Sequence, residues 1–357
     1  MRAATATIHL DAIRHNLTRV RQLAPGSRVV AVVKANGYGH GAARILPALS
    51  GADALGVACI EEALALREAG ACLPVLLLEG VFEAEELPLC ARHGFQIAVH
   101  EPGQLAMLEQ ARLERPLVVW LKLDSGMHRL GFPPERVRQA WQRLQAAASV
   151  AEVRLMSHFA SADDPDDPQT AAQLEVWRAA LDGIPGARSL ANSAGVLAWP
   201  SAHHDWVRPG VMLYGVSPMK DRTGPDDGLR PAMTLATRLI AVQRLQRGEK
   251  VGYSGTFVCP EDMDIGIAAI GYGDGYPRHA GSGTPVLVNG RAAALAGRVS
   301  MDMLAIDLRR VPGAKVGDPV VLWGAGLPVE RIAAAAGTIG YELLCAVKPR
   351  VRFVVEE

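Results

Sequence analysis

The sequence predicts an α/β fold, an N-terminal (β/α)8 barrel of the TIM type followed by a C-terminal, mostly β domain, on three observations. Short apolar runs alternate with helix-like stretches between residues 28 and 208. The first of these runs, 28–33, is apolar almost throughout, which marks a strand buried on both faces of a parallel sheet. Beyond the polar, Gly- and Pro-bearing stretch 219–228, helix periodicity nearly vanishes and β-rich runs take over.

Taken in order, the first part reads as strands at 28–34, 55–58, 75–78, 96–99, 117–123, 153–158, 189–192 and 205–208. Helix-like segments fall between them at 61–69, 83–92, 103–110, 134–147 and 170–181. Eight strands alternating with helices match a closed barrel, for which ~250 residues is typical; a doubly wound open sheet is the alternative. The second part reads as strands at 233–245, 265–270, 285–288, 304–308, 320–323 and 351–355. Asn289-Gly290 between two runs is a hairpin signal. The expected units are residues 1–228, whose extreme N-terminal strand packs with the second unit, and residues 229–357.

Composition narrows the function. A chain of 357 residues, 49% hydrophobic, can bury a large core. With 37 basic and 37 acidic residues the net charge is zero, so nothing favours a nucleic-acid or anionic-membrane partner. No apolar run reaches the ~20 residues of a membrane span, and the early Asp11 interrupts any signal-peptide core. The five cysteines, never in C-x-x-C spacing, read as small buried hydrophobes in a reducing compartment. A cytoplasmic location is expected.

The ends of the proposed strands carry the chemistry. Lys34 closes the first strand and leads into Ala35-Asn36-Gly37-Tyr38-Gly39-His40-Gly41. The fifth strand carries Lys122 and Asp124, the sixth ends in Ser157-His158, the seventh in Asn192-Ser193 and the eighth in Arg208-Pro209-Gly210. Closed into a barrel, these groups converge on one mouth. Barrels bind phosphate in the loops after their last two strands, where Ser193, Gly210 and Val211 fall. A lysine and a phosphate cup together fit pyridoxal 5'-phosphate held as a Schiff base, although a phosphosugar aldolase uses the same parts. Arg208 favours the former, because a guanidinium keeps its proton and would leave a pyridine nitrogen neutral. The pair His203-His204 lacks further ligands and is not read as a metal site.

The segment AVVKANGYGHGA closely resembles the cofactor-lysine signature of alanine racemases. The similarity continues in the family's order through LKLDSGMHRLGF, MSHF, NSAG, WVRPGVMLYG, VGYSGTF, IGYGDGYPR and GRVSMDM to IGYELL. The resemblance implies an isomerase that interconverts L- and D-alanine, a peptidoglycan precursor, on pyridoxal 5'-phosphate. It also implies a head-to-tail homodimer with active sites shared between subunits. Lys34 would be the cofactor lysine and one base, and Tyr253, from the partner subunit, the other. Tyr38, Ser193, Gly210, Val211 and Tyr341 would hold the phosphate, His158 and Asn192 would flank the ring, and Arg208 would face its nitrogen. Arg129 and Met301 would bind the substrate carboxylate, supported by Tyr272 and Asp302. Lys122 matches a lysine that relatives often carry as a carbamate. Ser254 stands where the family more often has glycine. Alternatives on the same plan are a broad-specificity amino-acid racemase, a decarboxylase and a non-catalytic carrier of the cofactor.

Overall fold

A computed structural model describes residues 3–357. Strand β1 (Thr5–His9) comes first, and the barrel follows as β2 (Arg28–Val32), β3 (Ala54–Val57), β4 (Val75–Leu77) and β5 (Phe95–Val99). It is completed by β6 (Leu117–Lys122), β7 (Val150–Met156), β8 (Arg188–Ser189) and β9 (Trp206–Val207). These eight strands pair in parallel with their chain neighbours, and β9 returns to β2 through Arg28–Trp206 and Val29–Val207, so the sheet closes. All eight lie where the sequence places them. Their apolar runs are continuous because one face packs on the surrounding helices and the other fills the barrel.

The barrel interior is packed solid. Val30, Ala54, Leu76, Ala98, Trp120, Met156 and Trp206 form a buried cluster inside it. The Trp120 indole donates to the Gln96 side-chain carbonyl at 2.8 Å. The Arg154 guanidinium stacks on both tryptophans, 5.2 Å from one ring and 4.9 Å from the other. A barrel blocked in this way keeps its chemistry at the mouth.

The second unit is built on β10 (Met233–Leu245), with β11 (Lys250–Val251), β12 (Phe257–Val258), β13 (Met263–Ala268), β14 (Pro285–Val288) and β15 (Arg291–Leu295). It continues with β16 (Leu304–Asp307), β17 (Pro319–Trp323) and β18 (Arg352–Glu356). The order β13-β16-β15-β14-β17-β10 returns on itself through a second pairing of β10 with β13. At its other side β10 pairs with β1, and β1 with β18. The N-terminal strand thus belongs to the second unit's sheet. Asn289 and Gly290 both adopt positive φ, +52° and +72°, the geometry of the two-residue hairpin they predict.

Two expectations need correction, and the boundary between the units is better defined than its composition suggests. Two helices, Val329–Ala336 and Gly340–Ala346, interrupt the β-rich part, too short for their periodicity to stand out. The boundary stretch 219–228 is tied down: Ser217 and Gly224 donate backbone N–H bonds to Glu330, and Ser217 Oγ donates to buried Asp227. Of the cysteines, Cys90 and Cys259 are buried, but Cys72 and Cys345 are exposed.

Candidate active site

Lys34 lies one residue, Val33, beyond the end of β2, half-buried, at the carboxyl edge of the barrel. Ala35, Asn36, Gly37 and Tyr38 after it are all left-handed, with φ between +50° and +64°. The turn is tied from outside by the Ala35 N–H to Glu62 at 2.7 Å and the Ala42 N–H to the Asn36 side chain at 3.0 Å. The helix Gly340–Ala346 presses onto it so closely that a Cβ on Gly39 would lie 2.1 Å from the Leu344 carbonyl oxygen. Through this contact the second unit helps to shape the barrel's mouth.

Tyr38 turns its buried ring between Tyr214, at 4.7 Å, and Tyr341, at 6.2 Å. Its hydroxyl reaches the last barrel loop, where a Cβ on Gly210 would sit only 2.4 Å from it. Ser193 Oγ accepts from the Gly210 N–H at 2.8 Å. Val211 opens the 3-10 turn Val211–Tyr214, and an N–H at that position has no acceptor within the turn. Burial pushes the Tyr38 and Tyr341 phenols well above the usual range, so both remain O–H donors. Phenol, serine and backbone donors around a glycine form a cup for an anion. Asn192 caps the helix Ser193–Ala198 by accepting from Gly195 N–H at 2.9 Å, which fixes Ser193.

Arg208, 3% exposed, lies deeper. It donates to Ser189 Oγ at 2.6 Å and to the Ser157 carbonyl at 2.5 Å, and lies 3.4 Å from His158 Nδ1. Among the described residues no carboxylate pairs with it. Burial lowers it to about 10, which leaves it charged at neutral pH. The half-buried His158 ring is held well below its ordinary value by burial and then by Arg208, Lys122, Arg129 and Lys34. It is therefore a neutral ring.

Lys122, 7% exposed, is lowered to about 8 by burial and then by Arg208, Arg129 and Lys34. Arg129 rides on a loop closed by Phe132 N–H to the Lys122 carbonyl and Asp124 N–H to the Phe132 carbonyl. Asp124 stiffens it by accepting from the N–H groups of Gly126 and His128 and the His128 ring, each at 3.0 Å. The mouth is strongly cationic, fit for an anionic guest.

The structure therefore brings together Lys34, Tyr38, Lys122, Arg129, His158, Asn192, Ser193, Arg208, Gly210, Val211 and Tyr341. The remaining candidates sit on the surface of the second unit. Tyr253 lies on a 3-10 turn, 70% exposed, with Ser254 left-handed behind it at φ +61°. Tyr272 and Met301 share a corner, since Tyr272 and Gly273 donate N–H bonds to the Ser300 and Met301 carbonyls. Arg350 straps that corner, 2.8 Å from fully buried Asp274 and 2.5 Å from Asp302. Arg350 is a contributor that sequence reading missed, because its partners lie far away in the chain. His203 and His204 have separate partners, the Val196 carbonyl and the Trp177 indole.

The family profile "Alanine racemase, N-terminal domain" matches residues 8–218, and "Alanine racemase, C-terminal domain" matches residues 232–355. The chain belongs to the alanine racemase family. It is 56% identical to the alanine racemase of Nitrosococcus oceani over 98% of this chain and 99% of that one. It is 53% identical to the biosynthetic alanine racemase of Escherichia coli K12 over 98% of each. The crystal structure of biosynthetic alanine racemase from Pseudomonas aeruginosa superposes with a TM-score of 0.97 at 50% identity, covering all of both chains. That from Acinetobacter baumannii gives 0.94 at 41% identity, again over all of both chains. Family membership thus agrees with the two-unit architecture and with the motif order read from the sequence.

Proposed function

We propose that this protein interconverts L- and D-alanine, with pyridoxal 5'-phosphate held at the barrel mouth and active sites completed by a second copy of the chain. The residues present fit that cofactor. Tyr38, Ser193, Tyr341 and the N–H groups of Gly210 and Val211 would hold its phosphate, Lys34 its aldehyde carbon, and Arg208 would face its ring nitrogen. Asn192 and His158 would flank the ring. When bound, the cofactor supplies an electron sink that loosens the proton on the amino acid's α-carbon.

The observation that carries this reading is Arg208, buried among neutral acceptors and, among the described residues, without an acidic partner. A guanidinium moderates the sink, which suits a reaction that returns a proton to the same carbon rather than moving on to transamination or decarboxylation. Lys34 would take or deliver that proton on one face. Tyr253 of a second copy would do so on the other, for it stands 70% exposed on the second unit's surface. Met301 at 53% and Met303 at 45% are exposed on the same unit. Apolar exposure of this kind marks a surface that another chain covers. Arg129 and the Met301 backbone would hold the substrate carboxylate, with Tyr272 and Asp302 supporting the partner side. A carbamate on Lys122 would pair with Arg129 where an ammonium repels it.

The two units that would share this work are those expected from the sequence, 1–228 and 229–357, with strand β1 paired into the sheet of the second. No helix of the described residues is long and apolar enough to cross a membrane, which is consistent with a cytoplasmic enzyme. The biosynthetic designation of the E. coli and P. aeruginosa relatives supports a role in supplying D-alanine for peptidoglycan.

Incubating the purified protein and cofactor with L-alanine, and separately with L-serine, tests the reading by chiral chromatography. Conversion of L-alanine to an equal mixture is expected, with serine far slower. Comparable rates on both would favour a broad-specificity racemase, and no D-isomer at all would end the proposal.

A further inference from the structure

His40 lies two residues beyond Tyr38, is completely buried, and has no part in the chemistry above. Its Nδ1 is 2.9 Å from the Tyr38 carbonyl oxygen and 3.1 Å from that of Gly37. Both partners are acceptors, so Nδ1 carries the proton and Nε2 is a bare acceptor. That Nε2 is buried and has no hydrogen-bond partner among the described residues. Leucine or phenylalanine would avoid this unmet acceptor, so the imidazole needs a reason to be there.

The turn supplies the reason. Ala35, Asn36 and Tyr38 carry side chains yet are left-handed, with Gly37 among them, a run that L-residues resist. Lys34 and Tyr38 lie at its two ends, so its shape decides whether an amine and a phenol address one guest. His40 grips the far end of the run at two consecutive carbonyls. Tyr214 backs both rings, 4.7 Å from Tyr38 and 4.6 Å from His40, and donates its hydroxyl to the carbonyl of Val32, the last residue of β2. Strand end, turn and histidine are thereby joined through one buried tyrosine.

We propose that His40 is a positioning residue whose Nδ1–H clips the left-handed turn so that Lys34 and Tyr38 face the same cofactor. The inference rests on the reading of those two residues given under Proposed function. Burial lowers the imidazole to about 4, only partly offset by its bonds to Tyr38 and Gly37, so the ring is neutral in ordinary use.

The test compares the full-length protein with His40→Phe, which keeps a ring but no donor, and His40→Asn, which keeps an N–H near the position of Nδ1. Lys34→Ala runs beside them. Each is titrated with pyridoxal 5'-phosphate, following the visible absorbance of lysine-bound cofactor and the quenching of tryptophan fluorescence, and kcat and KM are measured. His40→Phe is expected to bind the cofactor about tenfold more weakly, as for the loss of one to two hydrogen bonds. His40→Asn should stay within about threefold of wild type. Wild-type binding by His40→Phe would overturn the inference, and so would tenfold weakening in a folded His40→Asn. If His40→Phe does not fold, His40→Asn alone decides. Lysine-type absorbance persisting in Lys34→Ala would instead overturn the underlying site reading, however His40 behaves.

Discussion

Replacing Lys122 with methionine should stabilise the cofactor-free protein, because it removes an ammonium that the fold holds at a loss. Lys122 is 7% exposed and lowered from 10.5 to about 8 by burial, with Arg208, Arg129 and Lys34 adding to the effect. Below pH 8 the amine is protonated in both folded and unfolded chains, and the difference between 10.5 and about 8 is a standing cost of about 3 kcal/mol. Between those pH values the unfolded chain holds a proton that the folded chain has released. Stability contributed by this group therefore rises with pH, until the cost vanishes near 10.5. Methionine keeps the apolar stem and drops the charge. In bicarbonate-free buffer at pH 7, Lys122→Met should melt about 4 °C higher than wild type, if the transition is cooperative. The gain should shrink as the pH is raised through 8 to 10.5. Differential scanning calorimetry of both proteins at several pH values reads this directly. A gain below about 1 kcal/mol at pH 7, or one that persists undiminished at pH 10.5, would refute the electrostatic argument and point to packing.

Three further outcomes are expected. Tyr253→Phe, at a 70% exposed position, should leave stability within ~0.5 kcal/mol. It should slow exchange of the α-proton by ~10²–10⁴-fold from one alanine enantiomer, measured by NMR in D₂O. Gly210→Ala places a methyl 2.4 Å from the Tyr38 hydroxyl, so equilibrium dialysis should show ~10-fold weaker cofactor binding with little change in melting temperature. Arg350→Met removes the guanidinium that straps Asp274 and Asp302 at one corner, so urea unfolding should show a loss of stability, together with a raised KM for alanine.

Sequence legibility followed the length and purity of the signals. Strand runs such as those at β2 and β6 are apolar on both faces, so each could be located within a few residues. Eight of them in alternation with helices left little choice of architecture. The polar groups at their ends were legible for the same reason, since a strand that emerges at the mouth leaves its last side chain there. Strand β1 was less visible, because five residues of alternating burial carry little pattern. The helices Val329–Ala336 and Gly340–Ala346 were missed among β-rich neighbours. Arg350, His40 and Tyr214 gave no local clue to their contacts. Their partners are a carboxylate 76 positions away, carbonyls inside a left-handed turn, and the carbonyl of Val32, 182 positions off. Pairings made by the folded chain alone cannot be read from spacing.

The position of β1 sets a timetable for assembly. Thr5–His9 is made well before its partners, Met233–Leu245 and Arg352–Glu356. At ~5–20 residues per second it waits tens of seconds with its edges unsatisfied. The eight central strands, complete by Val207, have time to close first. A nascent chain stalled or clipped before Arg352 would leave one edge of β1 bare, and a naked edge recruits strangers. Quality control by proteases should therefore weigh heavily on chains cut short before Arg352, although every residue named at the barrel mouth precedes that point.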